Sequence, residues 1–203
     1  MIKLYGNPMS TCTRKVLATL HETQTPFEMN VIDLGKGEHK QPAHMARQPF
    51  GQVPAIDDDG FSMYESRAIA RYLDGKAGGK LTPTDPKHRA KMEQWISVEV
   101  ENFTPHAMKF VYEGVFKRPQ TPEVMANATT RLELACSVLD KNLSGKQFLV
   151  GDQFTIADIC YSPYIEYGMM TAAKAVFAKF PNFMAWWGRA SERPAWMKAA
   201  GRA

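Results

Sequence analysis

The sequence predicts an α/β + all-α protein, a small mixed domain followed by an all-helical one, and two observations carry that reading. Up to about residue 75, short apolar/polar alternations are interleaved with helical stripes and broken by Gly, Asn, Pro and Asp. Beyond Asp74-Gly75-Lys76-Ala77-Gly78-Gly79-Lys80 the alternation disappears and apolar residues recur at three- and four-residue spacing. A chain of 203 residues with 44% hydrophobic and 23% charged content is long enough to bury a sizeable core.

Ile2-Lys3-Leu4-Tyr5 alternates as a strand and is closed by Gly6-Asn7-Pro8. Ser10 then caps a helix in which Thr13, Val16, Leu17 and Leu20 form one stripe. Phe27-Glu28-Met29-Asn30-Val31 is a second strand. After a loop or helix, Val53-Pro54-Ala55-Ile56 and Phe61-Ser62-Met63-Tyr64 flank Asp57-Asp58-Asp59-Gly60 as a hairpin. A helix from Glu65 to about Leu73 aligns Ile69, Tyr72 and Leu73. This predicts a first domain at 1–76, a linker at 77–86 ending in the helix starter Pro86, and a helical domain at 87–203. In the latter, Met92, Trp95, Ile96 and Val100 mark one helix. Val124, Ala128, Leu132, Ala135, Val138 and Leu139 mark another, stopped by Leu143-Ser144-Gly145. Thr155 and Asp158 form a capping box, with Phe154 and Ile159 at the positions of a hydrophobic staple, and Pro181 and Pro194 open further helices.

Several function classes are excluded by composition. The net charge, 25 − 21 = +4, is spread along the chain, whereas a nucleic-acid footprint is concentrated. Apolar runs fall far short of the roughly 20 residues of a membrane helix, and the N-terminus carries no secretory pattern, so a cytoplasmic protein is expected. Cys12, Cys136 and Cys160 are an odd, scattered set that suits a reducing compartment and offers no metal site.

The chemistry concentrates in Asn7-Pro8-Met9-Ser10-Thr11-Cys12-Thr13-Arg14-Lys15, which sets a hydroxyl and then a thiol at a helix N-terminus, where unpaired N–H groups and the dipole favour an anion. Ser10 either only caps the helix or also donates to a bound thiolate. Cys12 is either a nucleophile or a small packed residue. Residues two apart on a helix diverge, so one of the pair is expected to face the site and the other to pack. Val53-Pro54 is either a cis bond, which lets Val53 pair with an extended peptide ligand, or an ordinary edge proline. Glu65 and Ser66 either hold the amino and carboxylate groups of a ligand or only favour a helical first turn.

With these segments in order, the chain resembles the cytosolic glutathione transferases, most closely the serine-type phi class. The likeness runs through Pro8–Leu17, Gly37-Glu38-His39-Lys40, Arg47-Gln48-Pro49-Phe50-Gly51-Gln52-Val53-Pro54-Ala55, Glu65-Ser66-Arg67-Ala68-Ile69 and the Phe154–Asp158 capping segment. The resemblance implies a thioredoxin-like first domain, an all-α second domain, a cleft between them, a homodimer, and glutathione as co-substrate with no metal. It implies that Ser10 stands next to the glutathione sulfur and that Pro54 is cis. By the same pattern Val53 pairs with the cysteinyl unit, Glu65 with Ser66 holds the γ-glutamyl end, and His39 and Lys40 hold the glycyl carboxylate with help from Gln52. Where the family usually has Asn-Pro before Phe50, Gln48-Pro49 stands here, a conservative change expected to matter little. Because Ser10 takes the matching position, Cys12 is expected to be an accessory thiol.

The resulting expectation is a detoxification-type transferase that conjugates the glutathione thiolate to hydrophobic electrophiles and also reduces organic hydroperoxides. Lowering a thiol pKa by about two units takes roughly 2.7 kcal/mol, within reach of one charge-assisted hydrogen bond and helix amides. The electrophile pocket is expected to be apolar and built from Met9, Leu34, Phe110, Val111 and Val115. The alternatives are a Cys12-dependent glutathione thiol transferase and a noncatalytic carrier of glutathione or hydrophobic ligands.

Overall fold

In the computed structural model, which describes residues 1–203, strand β1 (Ile2–Gly6) buries Ile2 and Leu4 and exposes Lys3, the period of two written in its sequence. β2 (Phe27–Val31) pairs with it in parallel, Leu4 opposite Met29, across the crossover that α1 (Thr11–Glu22) supplies. β3 (Ala55–Asp58) runs antiparallel on the other side, Leu4 opposite Ile56, and β4 (Phe61–Tyr64) is the edge of a sheet ordered β2-β1-β3-β4. The β3–β4 turn holds Asp59 and Gly60 at φ of 51° and 95°, the two left-handed residues that a tight hairpin requires. Between β2 and β3 lie a 3₁₀ turn (Glu38–Lys40) and the one-turn helix α2 (Pro42–Met45). α3 (Ser66–Lys76) follows β4 and packs against α1, so that Val16, Leu20, Ile56, Ile69 and Leu73 meet in one core. Each such fully buried aliphatic side chain contributes roughly 1.5–3 kcal/mol.

A second unit comprises Leu81–Arg193. Asp85 caps α4 (Pro86–Val98) by accepting from the His88 N–H at 2.9 Å, with Pro86 in the first turn. A π-helical segment (Glu99–Phe103) then runs directly into α5 (Thr104–Gly114). Its wider turn rotates the faces, so Phe103 is buried while Val100, assigned by spacing to the apolar row, is exposed. α5 packs on α6 (Pro122–Leu143) and α7 (Ile156–Gly168). Along α6 the interior row is Ala128, Leu132, Ala135 and Leu139. Val138, also assigned to it by spacing, lies off the row and is exposed, as is Leu134.

α8 (Ala173–Phe177) and α9 (Pro181–Ser191) complete an aromatic cluster in which Phe103, Tyr161, Phe183 and Trp186 meet mostly edge-on or tilted, at centroid distances of 5.1–6.3 Å. The capping box is formed: the Thr155 N–H donates to Asp158 Oδ2 at 2.8 Å. Asp158 is fully buried and also accepts from Leu149 N and Trp186 Nε1, so one carboxylate joins a helix start, a loop and α9. Phe154, expected as half of a staple, instead meets Phe148 edge-on and carries the Arg193 guanidinium 4.0 Å above its ring.

The last helix, α10 (Pro194–Ala200), corrects the sequence-based boundary at 87–203. Residues Pro194–Ala203 belong with Met1–Lys80, because α10 packs on α1 and buries Ala195, Trp196 and Ala199. The division at Lys80/Leu81 falls inside the expected linker. No helix is long and apolar enough to cross a membrane.

Candidate functional site

The site grows from the turn between β1 and α1. A Cβ on Gly6 would stand 2.7 Å from the Thr13 side chain, so only glycine lets the strand end pass this close to the helix. Ser10 is the N-cap: the Thr13 N–H donates to its Oγ at 3.3 Å, the Arg14 N–H to its carbonyl at 2.9 Å, and its own N–H to the Asn7 carbonyl at 2.8 Å. That leaves the Thr11 and Cys12 amides at the positive end of the helix. A hydroxyl has one proton and two lone pairs, and capping uses a lone pair. The two readings of Ser10, cap and hydrogen-bond donor to an anion, are therefore compatible in one geometry.

Facing this helix start is a small cavity of about 30 Å³ lined by Cys12, Gln48, Gln52, Val53, Pro54, Glu65 and Ser66. Five of the residues singled out from sequence for glutathione thus share one wall with a cysteine. The Val53–Pro54 bond is cis. Glu65 precedes α3 at φ 72°, ψ 103°, a left-handed backbone that costs a non-glycine residue about 1–3 kcal/mol and is typical of functional positions. Ser66, the first residue of α3, is buried.

His39 and Lys40 sit on the 3₁₀ turn outside this lining. His39 Nδ1 is enclosed without a partner, and the Lys40 ammonium donates to the Phe50 carbonyl at 3.1 Å. The Lys40 chain crosses Gly51, which has φ 59°; a Cβ there would come within 2.8 Å of Lys40 Nζ and Met45 Sδ.

Two residues without an assigned role in the sequence pin Gln52 from both sides. His44 Nε2 lies 2.6 Å from the Gln52 carbonyl, and the Gln52 N–H donates to Gln48 Oε1 at 3.1 Å. Both side chains are 2% exposed. A carbonyl only accepts, so Nε2 carries the proton, which makes Nδ1 a buried, unpartnered atom. No sequence signal marks them, because the helix that carries His44 ends at Met45 and both ties are made to the backbone of Gln52.

Cys12 departs from the expectation that the non-catalytic member of the pair hides, since it is half-buried and lines the cavity while Ser10 does not. The other thiols are out of play: Cys136 and Cys160 are buried, and burial pushes the Cys136 thiol strongly up. Of the apolar candidates, Met9 and Leu34 are exposed, and Val115 is half-buried just beyond α5. Phe110 and Val111 are buried on the face of α5 that packs within the helical unit.

Comparison with known proteins matches this geometry. The family model for the glutathione S-transferase N-terminal domain matches residues 1–75, and that for the C-terminal domain matches residues 103–194. Glutathione S-transferase APIC of Nicotiana tabacum is 35% identical over 97% of this chain and 96% of its own length. Glutathione S-transferase F12 of Arabidopsis thaliana is 36% identical over 98% and 96%. Among solved structures, glutathione transferase F2 from Populus trichocarpa superimposes with a TM-score of 0.94 at 35% identity, covering 100% of this chain and 99% of that one. Glutathione S-transferase I from mais, in complex with an atrazine glutathione conjugate, gives 0.90 at 29% identity over 99% and 97%. The chain belongs to the glutathione S-transferase family, and within it to the company of the phi-class proteins.

Proposed function

We propose that this protein is a glutathione transferase that holds the glutathione thiol as thiolate and delivers it to a hydrophobic electrophile. The observation that carries the reading is the convergence of Gln52, Val53, Pro54, Glu65 and Ser66 on one cavity beside a helix start capped by serine. In this reading the peptide backbone of glutathione lies along Val53, its γ-glutamyl end at Glu65 and Ser66, and its glycyl carboxylate toward Gln52, Lys40 and His39. The sulfur then meets the Ser10 O–H and the Thr11 and Cys12 amides. Ser10 donates and is not deprotonated. An anion in this field is favoured over the neutral thiol, which lowers the thiol pKa toward neutrality. Met9 and Leu34 supply apolar surface to the electrophile, and organic hydroperoxides are a second substrate class, because the same thiolate attacks a peroxide oxygen.

The reading includes a cytoplasmic homodimer. The exposed Leu134 and Val138 line an apolar groove of about 510 Å³ in the helical unit, a surface of the kind that association covers.

The test is conjugation of glutathione to a generic aromatic halide by the unmodified protein, Ser10→Ala and Cys12→Ser. Loss of one charge-assisted hydrogen bond predicts a fall of about 10- to 100-fold in kcat/KM for Ser10→Ala and little change for Cys12→Ser. Because Cys12 lines the cavity, a second reading is favoured by a specific observation: glutathione thiol transfer through Cys12. Reductase activity on a glutathione mixed disulfide that survives Ser10→Ala and vanishes in Cys12→Ser would select it.

A further inference from the structure

We infer that Arg14 is a positioning residue for the reaction, fixing the Asn7-Pro8-Met9 turn and through it the Ser10 hydroxyl. The inference rests on the role given to Ser10 above.

Arg14 is almost wholly buried, 6% exposed, in the first turn of α1. Helix stability gives no reason for it there: a cation near the N-terminus opposes the dipole, and the first turn holds no acidic residue to offset it. Two of its hydrogen bonds run to the turn. Nε donates to the Pro8 carbonyl at 2.9 Å, and the guanidinium reaches Met9 Sδ at 3.7 Å. Proline has no N–H, so its carbonyl is the one backbone group by which Pro8 can be tied.

The residues around it are tied independently. The Asn7 N–H donates to Thr13 Oγ1 at 3.2 Å and its side-chain amide donates to the Ile32 carbonyl at 3.1 Å. Asn7 Oδ1 accepts from the Met9 N–H at 2.9 Å, and the Asn7 carbonyl accepts from the Ser10 N–H. Asn7 thus braces the turn against both β2's far end and α1, and Arg14 adds a second tie to α1 at Pro8 and Met9. Releasing the second brace lets Pro8 and Met9 swing relative to the first-turn amides, and a displacement of about 1 Å at a reacting group costs on the order of 100-fold in rate. The guanidinium's planar set of donors reaches two consecutive residues, which a lysine ammonium does not reproduce. The role is therefore one of shape as well as charge.

The test uses the full chain with Arg14→Lys, Arg14→Ala and Ser10→Ala. It reads kcat and the KM for glutathione with an aromatic halide, the pH midpoint of the ultraviolet thiolate absorption of the glutathione complex, Tm, and rescue of Arg14→Ala by added guanidinium. Positioning predicts a fall of about 10- to 100-fold in kcat for both Arg14 variants, with KM for glutathione within about threefold. It also predicts a raised thiol midpoint and partial recovery with guanidinium in Arg14→Ala only. Full activity and an unmoved midpoint in Arg14→Lys would overturn it, leaving charge as the whole contribution. A fall that follows Tm, with the midpoint unmoved and no rescue, would overturn it too. If Arg14→Ala does not fold, Arg14→Lys decides. A midpoint that Ser10→Ala leaves unmoved rejects the reading of Ser10 itself, whereas a midpoint that moves in Ser10→Ala but in neither Arg14 variant rejects only this inference.

Discussion

Glycine 51 shows how much of the site depends on single atoms. Its φ of 59° and the approach of Lys40 and Met45 to 2.8 Å from a would-be Cβ leave room for hydrogen alone. Gly51→Ala should displace the Lys40 chain from the segment preceding Gln52. The expected result is a KM for glutathione raised about three- to tenfold with kcat nearly unchanged, the pattern of lost uniform binding. The strained backbone should also lower stability by about 1–2 kcal/mol, read as a fall in Tm. The helix starts at Ser10 and at Glu65-Ser66 were legible in the sequence from residue type and position, while the ligand roles given to these residues came from the family resemblance. His44 and Gln48 were not legible, since their partner is the backbone of Gln52, and which peptide group a buried histidine meets is decided only when the chain folds. That Cys12 lines the cavity was not legible either, because it depends on where the cis-proline loop passes.

The elements themselves are joined by a few polar ties. At the end of β3, Asp58 accepts from the Tyr72 hydroxyl at 2.5 Å and pairs with the Lys76 ammonium, both on α3, fastening the hairpin to the helix that begins at Ser66. The Lys76 ammonium, then the Tyr72 hydroxyl, hold the Asp58 carboxyl below the usual carboxylate range, and Asp58 in turn raises Lys76. A lowered acid contributes stability above its unfolded pKa and loses it as pH falls through the folded value, while a raised lysine loses its contribution as pH climbs through its own. Tm should therefore fall at acid pH more steeply for the unmodified protein than for Asp58→Asn, with a second divergence at strongly alkaline pH. Parallel Tm profiles would remove the tie from the account. Spacing rules served well where an α-helix stays regular, as in the caps at Ser10 and Thr155. The caps at Asp85 and Thr121, by contrast, emerge only in the structure; spacing failed at Val100, because nothing in the local pattern announces a π-helical turn.

At the scale of the whole molecule, the two-part division was readable from punctuation, but the return of α10 to the first unit was not. Trp196 and its neighbours look like any amphipathic helix, and only packing against α1 assigns them. The exposed α6 residues Leu134 and Val138 give the proposed homodimer its test. Leu134→Glu should move the protein from a dimeric to a monomeric sedimentation rate while changing the monomer's unfolding free energy by no more than about 0.5 kcal/mol, as expected for a surface site. An unmodified protein that already sediments as a monomer would reject the dimer.

The placement of α10 also has a meaning in time. On the ribosome α1 (Thr11–Glu22) emerges early, yet α10 (Pro194–Ala200), which covers part of it, is made much later. With about 5–20 residues added per second, roughly 10–35 s separate Glu22 from Ala200. During that interval the part of α1 that α10 covers is left bare, so the first unit reaches its final form only once α10 has been made. A stop codon just before Pro194 would remove 10 of the 203 residues and leave that part bare for good, a target for chaperones and proteases.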